Sequence, residues 1–266
     1  MNEVHRPVLA ANWKMHKGPR EAASFMEGFL NLHPPARGAI VVIFPPSISL
    51  VAARHAALAR TDIEFGVQNV HTRESGAHTG AVSAPMAADA GATWGLAGHS
   101  ERRHEFGDTD EMIGRRLAML ADSGLRPVLC VGETLEEREN GQLESTIRRQ
   151  VEAALGQVPQ SRQESVLYAY EPVWAIGTGL AASETDASEA HGIVRDAVRG
   201  TLRSGGAPSG SAGSATGDEH ITVLYGGSAV PSNASDLLAA PGIDGLLVGG
   251  ASLEPESWAA ICAARG

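Results

Sequence analysis

A lone carboxylate, Glu171, closes a short apolar run, Val166 to Tyr170, within the segment Tyr168-Ala-Tyr-Glu-Pro-Val-Trp-Ala-Ile-Gly-Thr-Gly179. The run reads as a buried strand. Pro172 ends it, because proline has no backbone donor for a ladder. The apolar, glycine-bearing residues that follow suit a hinged lid better than a solvated turn. An acid at a strand end, beneath a cover that excludes water, has the setting of a base that takes a proton from carbon.

Two further segments supply partners for such a base. Gly98-His-Ser-Glu-Arg-Arg103 follows the apolar run Thr93 to Ala97 and opens a helical stretch. The partial positive charge of a helix N-terminus disfavours the imidazolium, so His99 is expected to be a neutral ring that donates a hydrogen bond to a substrate oxygen. Asn12-Trp-Lys14 closes the first apolar run. Side chains alternate along a strand, which predicts that Asn12 and Lys14 point the same way. A base, a neutral electrophile and a fixed cation are what enolisation beside a carbonyl requires.

Each of these residues also has an ordinary reading. Glu171 could be a salt-bridged acid, Lys14 a solvated lysine, and Gly226-Gly227 a plain turn. His99 is one of ten histidines, and its spacing from His104 does not suit a metal pair on one helix face. Gly177-Thr-Gly-Leu-Ala-Ala182 fits a dinucleotide fingerprint in form, but residues 171–176 separate it from the strand it should follow directly. The acidic run Glu133 to Glu139 reads as a solvated helix face. The functional readings gain weight from their joint placement.

That placement follows from the pattern of elements. Apolar runs occur at Val8–Asn12, Ala39–Phe44, Ile63–Asn69, Thr93–Ala97, Arg126–Gly132, Val166–Glu171, Ile221–Tyr225 and Gly245–Gly249. Amphipathic or alanine-rich stretches such as Glu111–Ser123 and Leu135–Leu155 separate them. Eight alternations predict an α/β fold, a closed (β/α)8 barrel, with residues 1–266 as a single domain. In such a barrel, chemistry gathers at the C-terminal ends of the strands. Asn12, Lys14, His99, Glu171, Gly226-Gly227-Ser228 and Gly249-Gly250 all fall there. The small-residue segment 204–217 cannot bury enough surface to offset its ordering entropy and is expected to be a flexible loop.

Composition narrows the function classes. The chain has 266 residues, 43% hydrophobic and 20% charged, enough to bury a large core. With a net charge of −10 and its basic residues scattered among acids, it is not expected to bind nucleic acid. No apolar run is long enough to span a bilayer, and no leader pattern opens the chain, which predicts a cytoplasmic protein without membrane attachment. Two cysteines, Cys130 and Cys262, make no disulfide framework. Cys130 lies inside an apolar strand and reads as a buried structural thiol.

Long motifs in this order resemble the triosephosphate isomerase family. They are Ala11-Asn-Trp-Lys-Met15, Gly98-His-Ser-Glu-Arg-Arg103, Cys130-Val-Gly-Glu-Thr-Leu-Glu-Glu-Arg138, Tyr168 to Gly179, Tyr225-Gly-Gly-Ser228 and Asp244 to Leu253. The resemblance implies interconversion of dihydroxyacetone phosphate and D-glyceraldehyde 3-phosphate through an enediolate, with a place in glycolysis and gluconeogenesis. It implies that Glu171 is the base, that His99 polarises the carbonyl, and that Lys14 and Asn12 hold the substrate. Gly177, Ser228, Gly249 and Gly250 would offer backbone donors to the phosphate, the last two at the start of a short helix. Residues 172–178 would form the lid. No metal or organic cofactor is implied.

The same resemblance implies a homodimer. The segment Gln68 to Gly80 resembles the family's protruding third loop, and Thr79 the residue that reaches toward the neighbouring subunit. His78 stands where an aromatic is usual, Ala81 where an acid is usual, and Asp108 where glutamate is usual; Leu180-Ala181 alters the rear of the lid. A related isomerase acting on a tetrulose phosphate such as erythrulose phosphate remains open, because residues near the strand ends, Ala97 among them, vary. A non-catalytic phosphometabolite-binding barrel is the reading from a different class, and retention of Glu171, His99 and Lys14 together weighs against it.

Overall fold

The computed structural model describes residues 6–35, 38–176, 182–204 and 220–264. Eight parallel strands close on themselves in sequential order: β1 Val8–Asn12, β2 Ile40–Phe44, β3 Ile63–Val67, β4 Trp94–Ala97, β5 Arg126–Val131, β6 Leu167–Tyr170, β7 Val223–Tyr225 and β8 Gly245–Val248. Each lies inside one of the eight apolar runs of the sequence. The closed (β/α)8 architecture is therefore the one the alternation predicts. Helices follow every strand, among them Pro19–Leu32, Asp110–Asp122, Leu143–Leu155, Glu184–Ser204 and Pro255–Ala263. Among the described residues, no helix is long and apolar enough to cross a membrane. The segment 204–217 lies outside the described residues except for Ser204.

Two apolar layers hold the barrel together. Alternate strand residues Val8, Ala10, Val42, Phe44, Trp94, Leu96, Val128, Cys130, Ala169, Leu224 and Leu247 fill the interior. Their neighbours in sequence, such as Leu9, Val41, Ile43, Leu129 and Tyr168, pack outward against the helices. This period of two on strands buried on both faces explains why the runs read as continuously apolar. Cys130 is fully buried, and burial raises its thiol well above the usual range, so it is structural as the sequence suggests.

The stretch Leu135–Leu155 is two helices, not one. Thr134 caps the first: its hydroxyl accepts from Glu137 N, and Glu137 accepts from Thr134 N. That helix stops at Glu139, where Gly141 adopts φ 69° and Gln142 N donates back to Glu137 O at 2.8 Å. Glycine takes this left-handed position at low cost and satisfies the last carbonyls. A new helix then starts at Leu143.

Candidate active site

The parity of the strands decides which residues meet above the barrel. Asn12 continues the inward set Val8 and Ala10, and Glu171 continues the inward set Leu167 and Ala169. Glu171 follows β6 directly, and its N–H still donates to Val131 O on β5 at 2.8 Å. At the end of β4, Gly98 turns the chain at φ 85°. His99 is then the N-cap of helix Ser100–His104, where its Nδ1 accepts from Glu101 N at 3.3 Å.

These constraints bring His99 and Glu171 together. Nε2 of His99 lies 3.1 Å from Glu171 Oε1, and Ser100 N donates to Glu171 Oε2 at 2.7 Å. Because Nδ1 accepts a backbone hydrogen bond, the ring proton sits on Nε2, the nitrogen that faces the carboxylate. Both residues are almost wholly buried, at 6% and 2% exposure. Gly226 permits the approach, since a Cβ there would stand 2.9 Å from Glu171 Cγ.

Lys14 reaches the site by a route other than strand alternation. β1 ends at Asn12, and Lys14 adopts φ 51°, a left-handed conformation that a side chain seldom takes. Three contacts hold it there. Its N–H donates to Asn12 Oδ1 at 3.0 Å, while Gln68 Nε2 donates to its carbonyl at 2.8 Å and to Phe44 O at 2.9 Å. The ammonium lies 2.6 Å from Glu101 Oε1. Sequence reading missed both Gln68 and Glu101, because their partners lie far away in the chain.

In the run Glu133 to Glu139, the helix Leu135–Glu139 has no buried residue and is the solvated face that its composition predicts, but Glu133 departs from it. Glu133 is fully buried. Its Oε1 accepts from Trp174 Nε1 at 2.8 Å, Tyr170 Oη at 3.1 Å and Arg138 Nη1 at 3.2 Å. Arg138 also stacks over the Trp174 ring, 4.9 Å from its centroid, and donates to Asp186 at 2.6 Å. One carboxylate thereby anchors the short 3₁₀ turn Val173–Ala175 that follows Glu171. Residues 177–181 lie outside the described part, so Gly177, Leu180 and Ala181 do too.

Asp108, where glutamate was the usual residue, is buried and receives Arg102 Nε at 2.7 Å as well as a bond from Arg116. Burial alone would raise its carboxyl, yet the two guanidinium bonds outweigh it and hold the group below the ordinary range. His78 stacks on His71 with ring centroids 4.0 Å apart.

Asn12, Lys14, His99, Glu171, Ser228, Gly249 and Gly250 all line one cavity of about 340 Å³. Gly226 and Gly227 line the same cavity. Asn233 holds the Ser228 loop, accepting from Val230 N at 2.8 Å and donating to Ser228 O at 3.2 Å. Among the described residues, no group of three or more His, Cys, Asp or Glu is arranged to hold a metal ion.

Comparison with known proteins agrees with this geometry. The triosephosphate isomerase family model matches residues 7–265. A triosephosphate isomerase of Symbiobacterium thermophilum is 42% identical over 261 residues, covering 98% of this chain and 97% of that protein. Those of Carboxydothermus hydrogenoformans and Thermus thermophilus are 41% and 40% identical over 258 residues, covering 97% of this chain and 98% of each. An eightfold barrel whose strand ends converge on one cavity, matched along nearly its whole length, leaves one conclusion: this chain belongs to the triosephosphate isomerase family.

Proposed function

We propose that this chain interconverts dihydroxyacetone phosphate and D-glyceraldehyde 3-phosphate, with Glu171 as the base, His99 as the electrophile, and Asn12 and Lys14 holding the substrate. The observation that carries this reading is the 3.1 Å approach of His99 Nε2 to Glu171 Oε1 beside the cavity that Lys14 and Asn12 also line. The substrate carbonyl takes a hydrogen bond from the Nε2–H of His99, and Glu171 Oε1 beside it acts on the substrate. Glu171 removes a proton from the carbon beside the carbonyl. The bonding pair moves into a carbon–carbon double bond, and the carbonyl pair moves onto oxygen. The Nε2–H of His99 and the Lys14 ammonium face that oxyanion. The proton of the adjacent hydroxyl passes to that oxyanion by way of His99, and return of the carbon-bound proton to the other carbon completes the exchange of aldehyde and ketone.

Ser228, Gly249 and Gly250 are assigned to the phosphate, supported by their place on the cavity wall and by backbone amides that a small residue leaves open to a ligand. Gly177 is assigned with them on resemblance alone. Residues 1–266 are taken as one domain and the cytoplasm as its location. A homodimer is proposed because Met15, Ile48 and Met86 are exposed at 95%, 77% and 58% on the segments after the adjacent strands β1, β2 and β3. A second copy would cover these side chains. Sedimentation should give twice the chain mass; a fully active monomer would remove this assignment.

The test is turnover in deuterated water, followed by NMR on one preparation given dihydroxyacetone phosphate or erythrulose phosphate. Conversion of the triose with deuterium entering at carbon is expected, and faster than with the tetrulose. Triose binding without exchange would leave only a binding barrel, and preference for the tetrulose would reassign the substrate.

A further inference from the structure

The ladder between strands β4 and β5 ends at the mouth of the barrel. Ala97 and Leu129 are their last paired residues, and Arg103 bridges the two strand ends beyond that point. Its Nε donates to Gly98 O at 2.8 Å, its Nη2 to Cys130 O at 3.0 Å, and its Nη1 to Asp110 Oδ1 at 2.5 Å. The side chain is only 9% exposed. A planar guanidinium engaged on three of its nitrogens has one orientation, which a lysine ammonium cannot reproduce.

Both carbonyls belong to segments that place reacting groups. Gly98 immediately precedes His99, and a Cβ on Gly98 would stand 2.9 Å from Arg103 Nη2 and 3.0 Å from Cys130 O. Cys130 precedes Val131, whose carbonyl accepts from Glu171 N. Arg103 also lies one helical turn after His99, and its N–H donates to His99 O at 3.2 Å. A single side chain therefore ties the strand end that carries His99 to the strand end that holds Glu171. Asp110 fixes the guanidinium from behind and is itself bonded by Arg149.

We propose that Arg103 is a positioning residue for the isomerisation, setting the separation of His99 and Glu171 by bridging the ends of β4 and β5. It touches no substrate, and the proposal rests on the roles given above to His99 and Glu171. A displacement of about 1 Å between reacting groups can cost about a hundredfold in rate. A brace that served stability alone would lower the melting temperature and leave kcat of the folded enzyme unchanged.

The test compares Arg103→Met, Arg103→Lys and Asp110→Asn with the unchanged chain, well below their melting temperatures and with folding checked by circular dichroism. Arg103→Met is expected to lower kcat about a hundredfold while KM stays within about threefold. Arg103→Lys keeps the charge without the fork and should remain at least about tenfold slow. If the methionine variant does not fold, Asp110→Asn, which strips the charge from the anchor and leaves both carbonyl bonds available, should still lower kcat severalfold. Folded variants with kcat near that of the unchanged chain, or a rise in KM alone, would overturn the proposal. Glu171→Gln separates the two readings. If it keeps full turnover, the assignment of the base fails; if it is inactive while Arg103→Met is unimpaired, only the role of Arg103 fails.

Discussion

Lys14 Nζ lies 2.6 Å from Glu101 Oε1, so the cation that faces the cavity is one half of an ion pair. Glu101 also lends its N–H to His99 Nδ1. One residue thus orders both groups proposed to stabilise the oxyanion. Lys14→Met should lower kcat/KM by about a thousandfold, the loss typical of removing one preorganised donor. Glu101→Gln leaves the ammonium in place but loosens it, and should lower kcat about tenfold. Steady-state kinetics on both variants checks this; a Lys14→Met enzyme near full efficiency contradicts it.

Glu171→Asp withdraws the carboxylate by about one methylene from the carbon it must reach. Turnover should fall by about a hundredfold or more. The N–H at position 171 keeps its bond to Val131 O and only the bond that Ser100 N gives to the carboxylate is loosened, so the urea midpoint should stay close to that of the unchanged chain. A near-normal rate would take Glu171 out of the role.

His191 connects stability to pH. It is fully buried, with Nδ1 2.9 Å from Gly242 O, and burial depresses its pKa to about 4. The unfolded chain binds a proton near pH 6.5, whereas the folded chain resists doing so until about 4. Stability from this residue is present above about pH 6.5 and declines on acidification until about pH 4, by roughly 3 kcal/mol in all. Urea unfolding between pH 7 and 4 should show that slope. His191→Gln should flatten it, and an unchanged slope would assign the effect elsewhere.

Glu133 is the buried hub for Trp174, Tyr170 and Arg138. Glu133→Leu takes the carboxylate from the buried Tyr170 hydroxyl, removes one partner from the half-buried Trp174, and leaves Arg138 with Asp186. A loss of about 3 kcal/mol is expected in chemical denaturation. Turnover should fall as well, because the turn Val173–Ala175 next to the base loses its anchor. A variant as stable as the unchanged chain would show that the hub contributes little.

The barrel was legible because its signal is local. Each strand is buried on both faces, so a short apolar run marks it, and the intervening helices carry their own periodicity. The placement of Asn12, His99 and Glu171 was legible for the same reason: each stands at or just past the end of such a run. The break at Gly141 was overlooked although glycine there is a local signal, because the apolar spacing continues on both sides of it.

The sequence by itself determined which residues stand at the mouth of the barrel, since strand ends and side-chain parity are written in neighbouring positions. Tertiary structure decided how those residues are held. Lys14 is set by Gln68 and Glu101, Glu133 is buried by Trp174 and Tyr170, and the ends of β4 and β5 are tied by Arg103. Such contacts join residues distant in the chain, and a charged side chain carries the same letter whether water or a buried partner satisfies it. Only closure of the barrel brings the partner within hydrogen-bond distance and removes the water.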